Sequence, residues 1–389
     1  MMTGITDYFR MDELLSSEQK LIRNTVRDWT DKEVIPVIDD YNQNHQSPVH
    51  LIKQLGSLGA YGCFIPEHYG GAGMDYITYG IMMQELERGD SSIRSAASVQ
   101  SSLVMLPIYE FGSEEQKLKY LPKLASGEII GAFGLTEPNH GSDPGSMETK
   151  CQDKGDYVLL NGSKMWITNA PICDIAIVWA KDETKTVRGL IVEKDFPGFS
   201  APETKKKWSL RASATGELVF DNVKVPKENL LPNISGLKGP MMCLNSARFG
   251  IAWGALGAGF DCFNTALIYA GERKQFNKPI ASFQLTQKKL AEMLTELTAC
   301  QLMALRVGQL KNENKATPEQ ISMIKRHNVY TALNVARNSR QILGAAGITG
   351  DYSIMRHMIN LESVITYEGT HDIHLLITGN DITEIPAFK

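Results

Sequence analysis

The sequence predicts an α+β protein, mainly α, in three consecutive parts: a helical domain over 1–128, a β-barrel-like antiparallel domain over 129–236 and a four-helix bundle over 237–389. Three observations predict it. Apolar residues recur at three- and four-residue spacing through the N-terminal part. The middle part is cut into short apolar segments by Gly and Pro at close intervals. The C-terminal part holds four long helical segments joined by short connections, the pattern of an up-down bundle.

The first helix is expected from Ser16 to Val34. Leu21, Ile22, Val26 and Trp29 share one face, Ser16 or Ser17 caps it and Pro36 stops it. A second runs from His50 to Leu58, where Gly59 ends it. Pro66 to Gly73 is a glycine-rich loop without the spacing or the Lys-Ser/Thr of a phosphate-binding loop. Helices follow over Tyr76–Arg88 and Arg94–Tyr109, interrupted by Gly89-Asp90-Ser91-Ser92, and Ser113 opens another with a capping pattern. In the β part, Asn161-Gly162 between Tyr157–Leu160 and Met165–Ile167 reads as a hairpin turn. Ile175–Trp179, Gly189–Val192 and Leu218–Phe220 continue as strands of an antiparallel sheet. The bundle helices are expected over Ala247–Arg273, Ser282–Leu310, Pro318–Leu343 and Asp351–Ser363, with Gly344-Ala345-Ala346-Gly347 breaking the third from the fourth.

Composition narrows the function classes. A net charge of −4 supplies no basic field for nucleic acid. No apolar run reaches the length of a membrane span, and Met1 to Arg10 has neither a signal-peptide nor a transit-peptide composition. A cytoplasmic protein is the expectation. Six cysteines contain no C-x-x-C pair, which points to reduced thiols rather than a zinc site or a disulfide framework.

Several groups can carry chemistry. Thr366 to His374 sets polar and ionisable side chains against apolar neighbours, Ile365 before and Leu375-Leu376-Ile377 after. A carboxylate buried there has a raised pKa and is a candidate general base. The same stretch also reads as a loop with a helix cap at Thr370. Gly134 to Asp143 offers hydroxyls and backbone N–H groups with little bulk, either for a polar ligand or as a decorated turn. Glu87 and Arg94 flank the Gly89-Asp90 break. They read as a surface pair, or as a guanidinium fork presented to a carboxylate in a cavity. Arg273-Lys274-Gln275-Phe276 reads as a basic helix end. His371 and His374 are three residues apart without further converging ligands, so no metal site is expected.

Taken together, these segments resemble the acyl-CoA dehydrogenase family over nearly the whole chain. The motifs are Gly134–Asp143, Trp166-Ile167-Thr168, Arg273-Lys274-Gln275-Phe276, Gln341–Gly347 with Asp351, Arg356 and Asn360 downstream, and Thr370-His371-Asp372. His140 stands where a small residue is usual, and Ala345 where Gly or Ser is usual. Arg94-Ser95, Ser98–Met105, Ser209–Gly216, Arg248 with Gly250–Gly254, and Thr366–His374 look like the glutaryl-CoA dehydrogenase branch.

The resemblance implies the acyl-CoA dehydrogenase fold and a homotetramer with FAD in each subunit, passing electrons to electron-transferring flavoprotein. It implies that Glu368 removes the α-proton of an acyl-CoA while a β-hydride leaves for flavin N5. The thioester carbonyl would be polarised by the Glu368 N–H and a flavin ribityl hydroxyl. It matches Phe133, Leu135, Thr136, Gly141, Ser142, Trp166, Ile167 and Thr168 to flavin contacts. Arg273, Phe276 and Gln284 match contacts from a neighbouring subunit, Gln341, Leu343, Gly344 and Ala345 the adenosine end, and Thr370 and Asp372 the closure of the site. Ser142, Asn245, Arg248 and Phe249 match positions along the substrate. Arg94 and Ser95, with Glu87 and Tyr367 orienting the guanidinium, would receive a dicarboxylic acyl end, so glutaryl-CoA to crotonyl-CoA and CO2 is expected. The alternatives are a short- or medium-chain fatty acyl-CoA dehydrogenase, a glutaryl-CoA dehydrogenase without decarboxylation, and an inactive CoA-binding scaffold.

Overall fold

A computed structural model describes residues 7–387. The N-terminal helices are α1 (Ser17–Trp29), α2 (Ile38–Gln43), α3 (Val49–Ser57), α4 (Tyr76–Gly89), α5 (Ser91–Ser98), α6 (Leu106–Phe111) and α7 (Glu114–Ala125). Their starts follow from local chemistry. Ser16 with Gln19 and Ser113 with Gln116 form reciprocal capping boxes on α1 and α7. The Asp75 carboxylate accepts from Thr78 N at 2.7 Å and opens α4. Asp90 ends α4 in extended geometry and caps α5 through Ser92 N. The chain between α5 and α6, Val99–Met105, is wound as a π-helix. Gln100 projects from it, donates to Leu124 O and Ile129 O, and accepts from Gly131 N at 2.7 Å. One buried amide thereby fixes where the helical domain hands the chain to the sheet.

The sheet comprises β1 (Gly131–Gly134), β2 (Lys150–Asp153), β3 (Tyr157–Thr168), β4 (Ile175–Lys181), β5 (Val187–Glu193), β6 (Phe199–Ser200) and β7 (Thr215–Pro226). Its order is β1-β4-β2-β3-β7-β6, with β5 against β4. Two expectations are corrected here. Asn161-Gly162 is not a hairpin turn: β3 runs through it, and the register with β7 shifts at that point. Gly162 adopts φ +139°, and a Cβ there would lie 2.6 Å from Thr149 Oγ1, so the glycine serves a bulge beneath a close neighbour. The reversal lies earlier, where Lys154 N donates to Tyr157 O and Gly155 has φ +87°. Nor is the sheet wholly antiparallel, because β1 pairs with β4 in parallel. Both strands are buried on both faces, as parallel pairs usually are. On β4, Ile175, Ile177 and Trp179 join the helical core while Ala176, Val178 and Ala180 fill the β-domain core.

The C-terminal part holds α8 (Lys238–Glu272), a two-residue ladder of β8 (Lys274–Gln275) and β9 (Lys278–Pro279), α9 (Gln284–Asn312), α10 (Pro318–Leu343), α11 (Ile354–Val364) and α12 (His371–Thr383). Helix α8 starts at Lys238, earlier than the periodicity indicated. Among the described residues it alone is long and apolar enough to cross a bilayer, but 72% of its most apolar window is buried in this protein. Helix α8 is the shared core helix, packed against both α4 and α10. Two of its glycines admit α4. A Cβ on Gly257 would lie 1.9 Å from Gln84 O, and one on Gly254 would lie 2.2 Å from Glu87 Oε2.

Gly257→Ala is expected to force the helices apart and lower unfolding stability by about 1–3 kcal/mol, the usual cost of overpacking. Gly271→Ala, on the same helix with nothing within 4 Å of its Cβ, is expected to leave stability unchanged or raise it by about 0.5–1 kcal/mol. Urea denaturation of both variants checks the pair, and similar effects at the two positions would contradict the packing argument.

Candidate active site

The loop between α11 and α12 is built from backbone bonds at both ends. Thr366 N and Tyr367 N both donate to Ser363 O. The Thr370 hydroxyl caps α12 by accepting from Ile373 N. Between them the chain takes two left-handed residues, Glu368 at φ +53° and Gly369 at φ +94°. Such a backbone is unfavourable for glutamate and is held here by neighbours. Arg248 Nε, from α8, donates to Glu368 O at 2.8 Å. Lys325 Nζ, from α10, donates to Tyr367 O and Gly369 O, both at 2.8 Å.

The Glu368 side chain is half-buried, and its Oε2 lies out of solvent with no hydrogen-bond partner. Burial raises its pKa, against the opposing charges of Arg94, Lys325 and Arg248. A carboxylate so placed is a stronger base than an exposed one. Burial likewise pushes Lys325 down to about 7 even with Glu368 nearby. His374 is fully buried and pushed down to about 2 by burial and by the charges of Lys325 and Arg248. It is therefore a neutral packing partner, with its Nε2 2.7 Å from where a Cβ on Gly369 would lie.

Arg94 and Glu87 are a fully buried pair, not a surface one. Arg94 Nε donates to Glu87 Oε2 at 2.5 Å and Nη2 donates to Glu87 Oε1 at 3.4 Å. Ser91 Oγ also donates to Glu87 Oε1 at 2.8 Å, and Arg94 Nη2 donates to the Tyr367 hydroxyl. Arg94 Nη1 is left buried without a partner. The Asp90 break is anchored from α11, since Arg356 Nη1 donates to Asp90 Oδ2 at 2.6 Å and to Gly89 O at 2.8 Å. Asn360 donates to the same carboxylate oxygen and accepts from Leu210 N at 2.9 Å, which docks the 209–216 segment. Ser95 is buried on α5, and Asn245 Oδ1 accepts from Arg248 Nη1. Phe249 is buried against Tyr76, Tyr79 and Trp253.

The remaining residues singled out in the sequence fall into separate groups. Phe133, Leu135 and Thr136 at the end of β1 and Trp166, Ile167 and Thr168 at the end of β3 are drawn together where Met165 N donates to Thr136 O at 2.9 Å. Gly141 and Ser142 are exposed beside them. Arg273, Phe276 and Gln284 lie exposed at the α8–α9 connection. Gln341, Gly344 and Ala345 are exposed at the end of α10 while Leu343 is buried, and Lys289 Nζ donates to Gln341 Oε1 at 3.0 Å. Among the described residues no hydrogen bond or ion pair joins Arg273, Phe276 or Gln284 to the sheet edge or to Glu368. Asp372 is exposed in the first turn of α12. His140 faces Glu148 at 3.6 Å. The neighbouring Glu137 is already satisfied by Lys164 Nζ at 2.8 Å and by the Glu148 and Thr149 N–H groups.

Sequence reasoning missed Lys325 and the Asp90–Arg356–Asn360 anchor, and it weighed His374 as a metal ligand instead of a packing partner. One signal was available for Lys325. It sits among Ile321, Ile324, Asn328 and Val329 on the buried face of α10, where an unpaired lysine is not expected.

The loop thus brings together a carboxyl with an unpartnered, buried oxygen and a buried guanidinium with a free N–H, groups suited to a polar acyl ligand. Trp166 has a left-handed backbone at φ +63° and is 59% exposed, while Thr136 and Thr168 are half-buried, so an aromatic face and two hydroxyl side chains remain open to a planar cofactor. The comparisons agree. The N-terminal, middle and C-terminal domains of acyl-CoA dehydrogenase match residues 16–128, 132–223 and 235–383. A glutaryl-CoA dehydrogenase structure from Mycobacterium smegmatis is 48% identical, with a TM-score of 0.97 and 100% of both chains covered. A second from that organism, in complex with FADH2, is 46% identical, with a TM-score of 0.97 and 99% of each chain covered. The short-chain-specific acyl-CoA dehydrogenase of Clostridium acetobutylicum is 36% identical over 96% of this chain and 100% of its own.

The chain belongs to the acyl-CoA dehydrogenase family. It is an FAD-dependent oxidoreductase acting on the CH–CH bond of an acyl-CoA.

Because burial raises the Glu368 pKa above the ordinary 4.5, its ionised form destabilises the fold at neutral pH. The native chain regains that stability as pH falls through the raised value towards 4.5. Glu368→Gln is therefore expected to melt higher than the native holoenzyme at pH 7, with the difference shrinking in acid. A melting temperature below the native one at pH 7, or a difference that grows in acid, would show that the carboxylate is stabilised where it lies.

Proposed function

We propose that the protein oxidises glutaryl-CoA and decarboxylates the product to crotonyl-CoA, with Glu368 as the base. The observation that carries this reading is the buried Arg94 Nη1 without a partner. A methyl-ended acyl chain leaves that donor unsatisfied in a dry site, at a cost of about 1–3 kcal/mol or more for a charged group. A terminal carboxylate satisfies it by a charge-assisted bond. Glu87 and Tyr367 hold the guanidinium from its other edge, so the fork is fixed before substrate arrives.

Glu368 accepts the α-proton, and its own N–H polarises the thioester carbonyl. Bound FAD supplies the acceptor for the β-hydride. The Trp166, Thr136 and Thr168 edge holds that cofactor, and Ser142, Asn245 and Arg248 line the CoA arm. The oxidised acyl group carries its carboxylate on the γ carbon. Breaking that C–C bond releases CO2 and leaves the electron pair delocalised into the thioester. The protonated Glu368 then returns a proton to the γ carbon, which gives crotonyl-CoA and regenerates the base. Electrons leave to electron-transferring flavoprotein. The exposed Arg273, Phe276 and Gln284 support a homotetramer in which a neighbouring subunit completes each FAD site.

Anaerobic mixing of the holoenzyme with glutaryl-, butyryl- and octanoyl-CoA, read by flavin absorbance and released CO2, tests the assignment. Glutaryl-CoA is expected to bleach the flavin fastest and to yield CO2. Arg94→Gly should lower kcat/KM for glutaryl-CoA by about 100-fold or more, the scale of losing a buried charged partner, with butyryl-CoA changed less than about tenfold. Bleaching by octanoyl-CoA but not glutaryl-CoA would overturn the substrate assignment.

A further inference from the structure

One buried cation has no part in the steps above. Lys325 is 1% exposed, and its ammonium bonds neither substrate-facing Arg94 nor a carboxylate, but two carbonyls of the catalytic loop. With Arg248 on Glu368 O, the carbonyls of residues 367, 368 and 369 are captured in sequence by two cations from two helices. The loop they hold contains the left-handed Glu368, a conformation that costs on the order of 1–3 kcal/mol for a residue with a side chain. A Cβ on Gly369 would meet His374, so the position beside Glu368 admits no side chain. The clamp turns the three carbonyl oxygens onto cations, leaving the Glu368 carboxylate as the loop's own unpaired acceptor.

We propose that Lys325 is a positioning residue for this reaction: its ammonium locks the left-handed turn that presents Glu368 and, by its charge, helps keep that buried carboxylate ionised. The proposal rests on Glu368 being the base. The charged and titratable groups around Lys325 are Glu368, Arg248 and Arg94, with His371 and His374 from α12 and the Tyr367 hydroxyl at the loop. Of these only Glu368 is a carboxylate, so removing the lysine charge acts on it directly. The nearest cations that remain, Arg94 and Arg248, are already engaged with Glu87 and Glu368 O.

Two variants of the holoenzyme separate the two effects. Lys325→Met removes charge and donors. Lys325→Gln removes the charge and keeps amide donors. With FAD content confirmed by absorbance, both are expected to shift the acid limb of the kcat–pH profile to higher pH, because Glu368 loses a neighbour that favours its ionised form. Lys325→Met is expected to lower kcat about 100-fold, the scale of a misplaced catalytic group, with KM for the acyl-CoA little changed. Lys325→Gln should lose less. If Lys325→Met does not fold, the acid limb of Lys325→Gln decides alone. An unmoved acid limb, or a loss carried by KM instead of kcat, overturns the proposal. Glu368→Gln is measured in parallel. Its expected inactivity keeps the base assignment intact whatever Lys325 shows, and retained turnover would overturn both.

Discussion

The Glu87–Arg94 ion pair is the constraint on which the rest of the site depends. Neither side chain is exposed, so both charges are held out of water at a cost that only mutual contact and further hydrogen bonds can offset. Those bonds come from Ser91 at the start of α5 and from Tyr367 in the loop that carries Glu368. The pair also needs space: Gly254 of α8 lies where any side chain would strike the Glu87 carboxylate and the Arg94 guanidinium. Asp90 ends one helix and begins the next, and Arg356 and Asn360 grip it from α11. The break between α4 and α5 is thus a fixed corner, and it holds the pair against the loop that carries Glu368.

A charge count around that loop favours the dicarboxylic substrate proposed for it. Arg94 and Arg248 are buried cations, and Lys325, pushed down to about 7, joins them in its protonated form; against them stand Glu87 and Glu368, so with Lys325 protonated three minus two leaves one positive charge. An acyl chain ending in a carboxylate balances it, whereas one ending in a methyl group does not. The same surroundings suit the base role proposed for Glu368. Burial raises its pKa, and the cations around it oppose that rise. Fold and chemistry meet in α8, which supplies Gly254 to the ion pair, Gly257 to the α4 contact and Arg248 to the loop.

Much of this was legible in the sequence. Ser16, Ser113 and Thr370 announce helix starts because capping is local chemistry, and each caps a helix in the structure. Glu368, Arg94, Glu87 and Tyr367 were singled out by resemblance, and the structure brings them together, with Arg94 meeting Tyr367 across 273 positions. Periodicity alone would have left Glu87 and Arg94 on the surface, because nothing local shows that α8 closes over them. Asn161-Gly162 misled for a related reason. The pair favours a tight turn in isolation, yet Thr149 packs over Gly162 and Asn222 pairs with Asn161, which draws the chain into a bulged strand. The parallel β1–β4 pair depends on a crossover that no local pattern encodes. Lys325 escaped notice because its partners are backbone carbonyls, which carry no sequence signature.

The central claim is that Arg94 and Glu368 receive opposite ends of one dicarboxylic acyl chain. A crystal structure of the Glu368→Gln holoenzyme with intact glutaryl-CoA tests it most directly. The account predicts the terminal carboxylate within hydrogen-bond distance of Arg94 Nη1, with the substituted side chain at position 368 against the α carbon. An acyl chain whose carboxylate lies away from Arg94, with water on Nη1 instead, would contradict it.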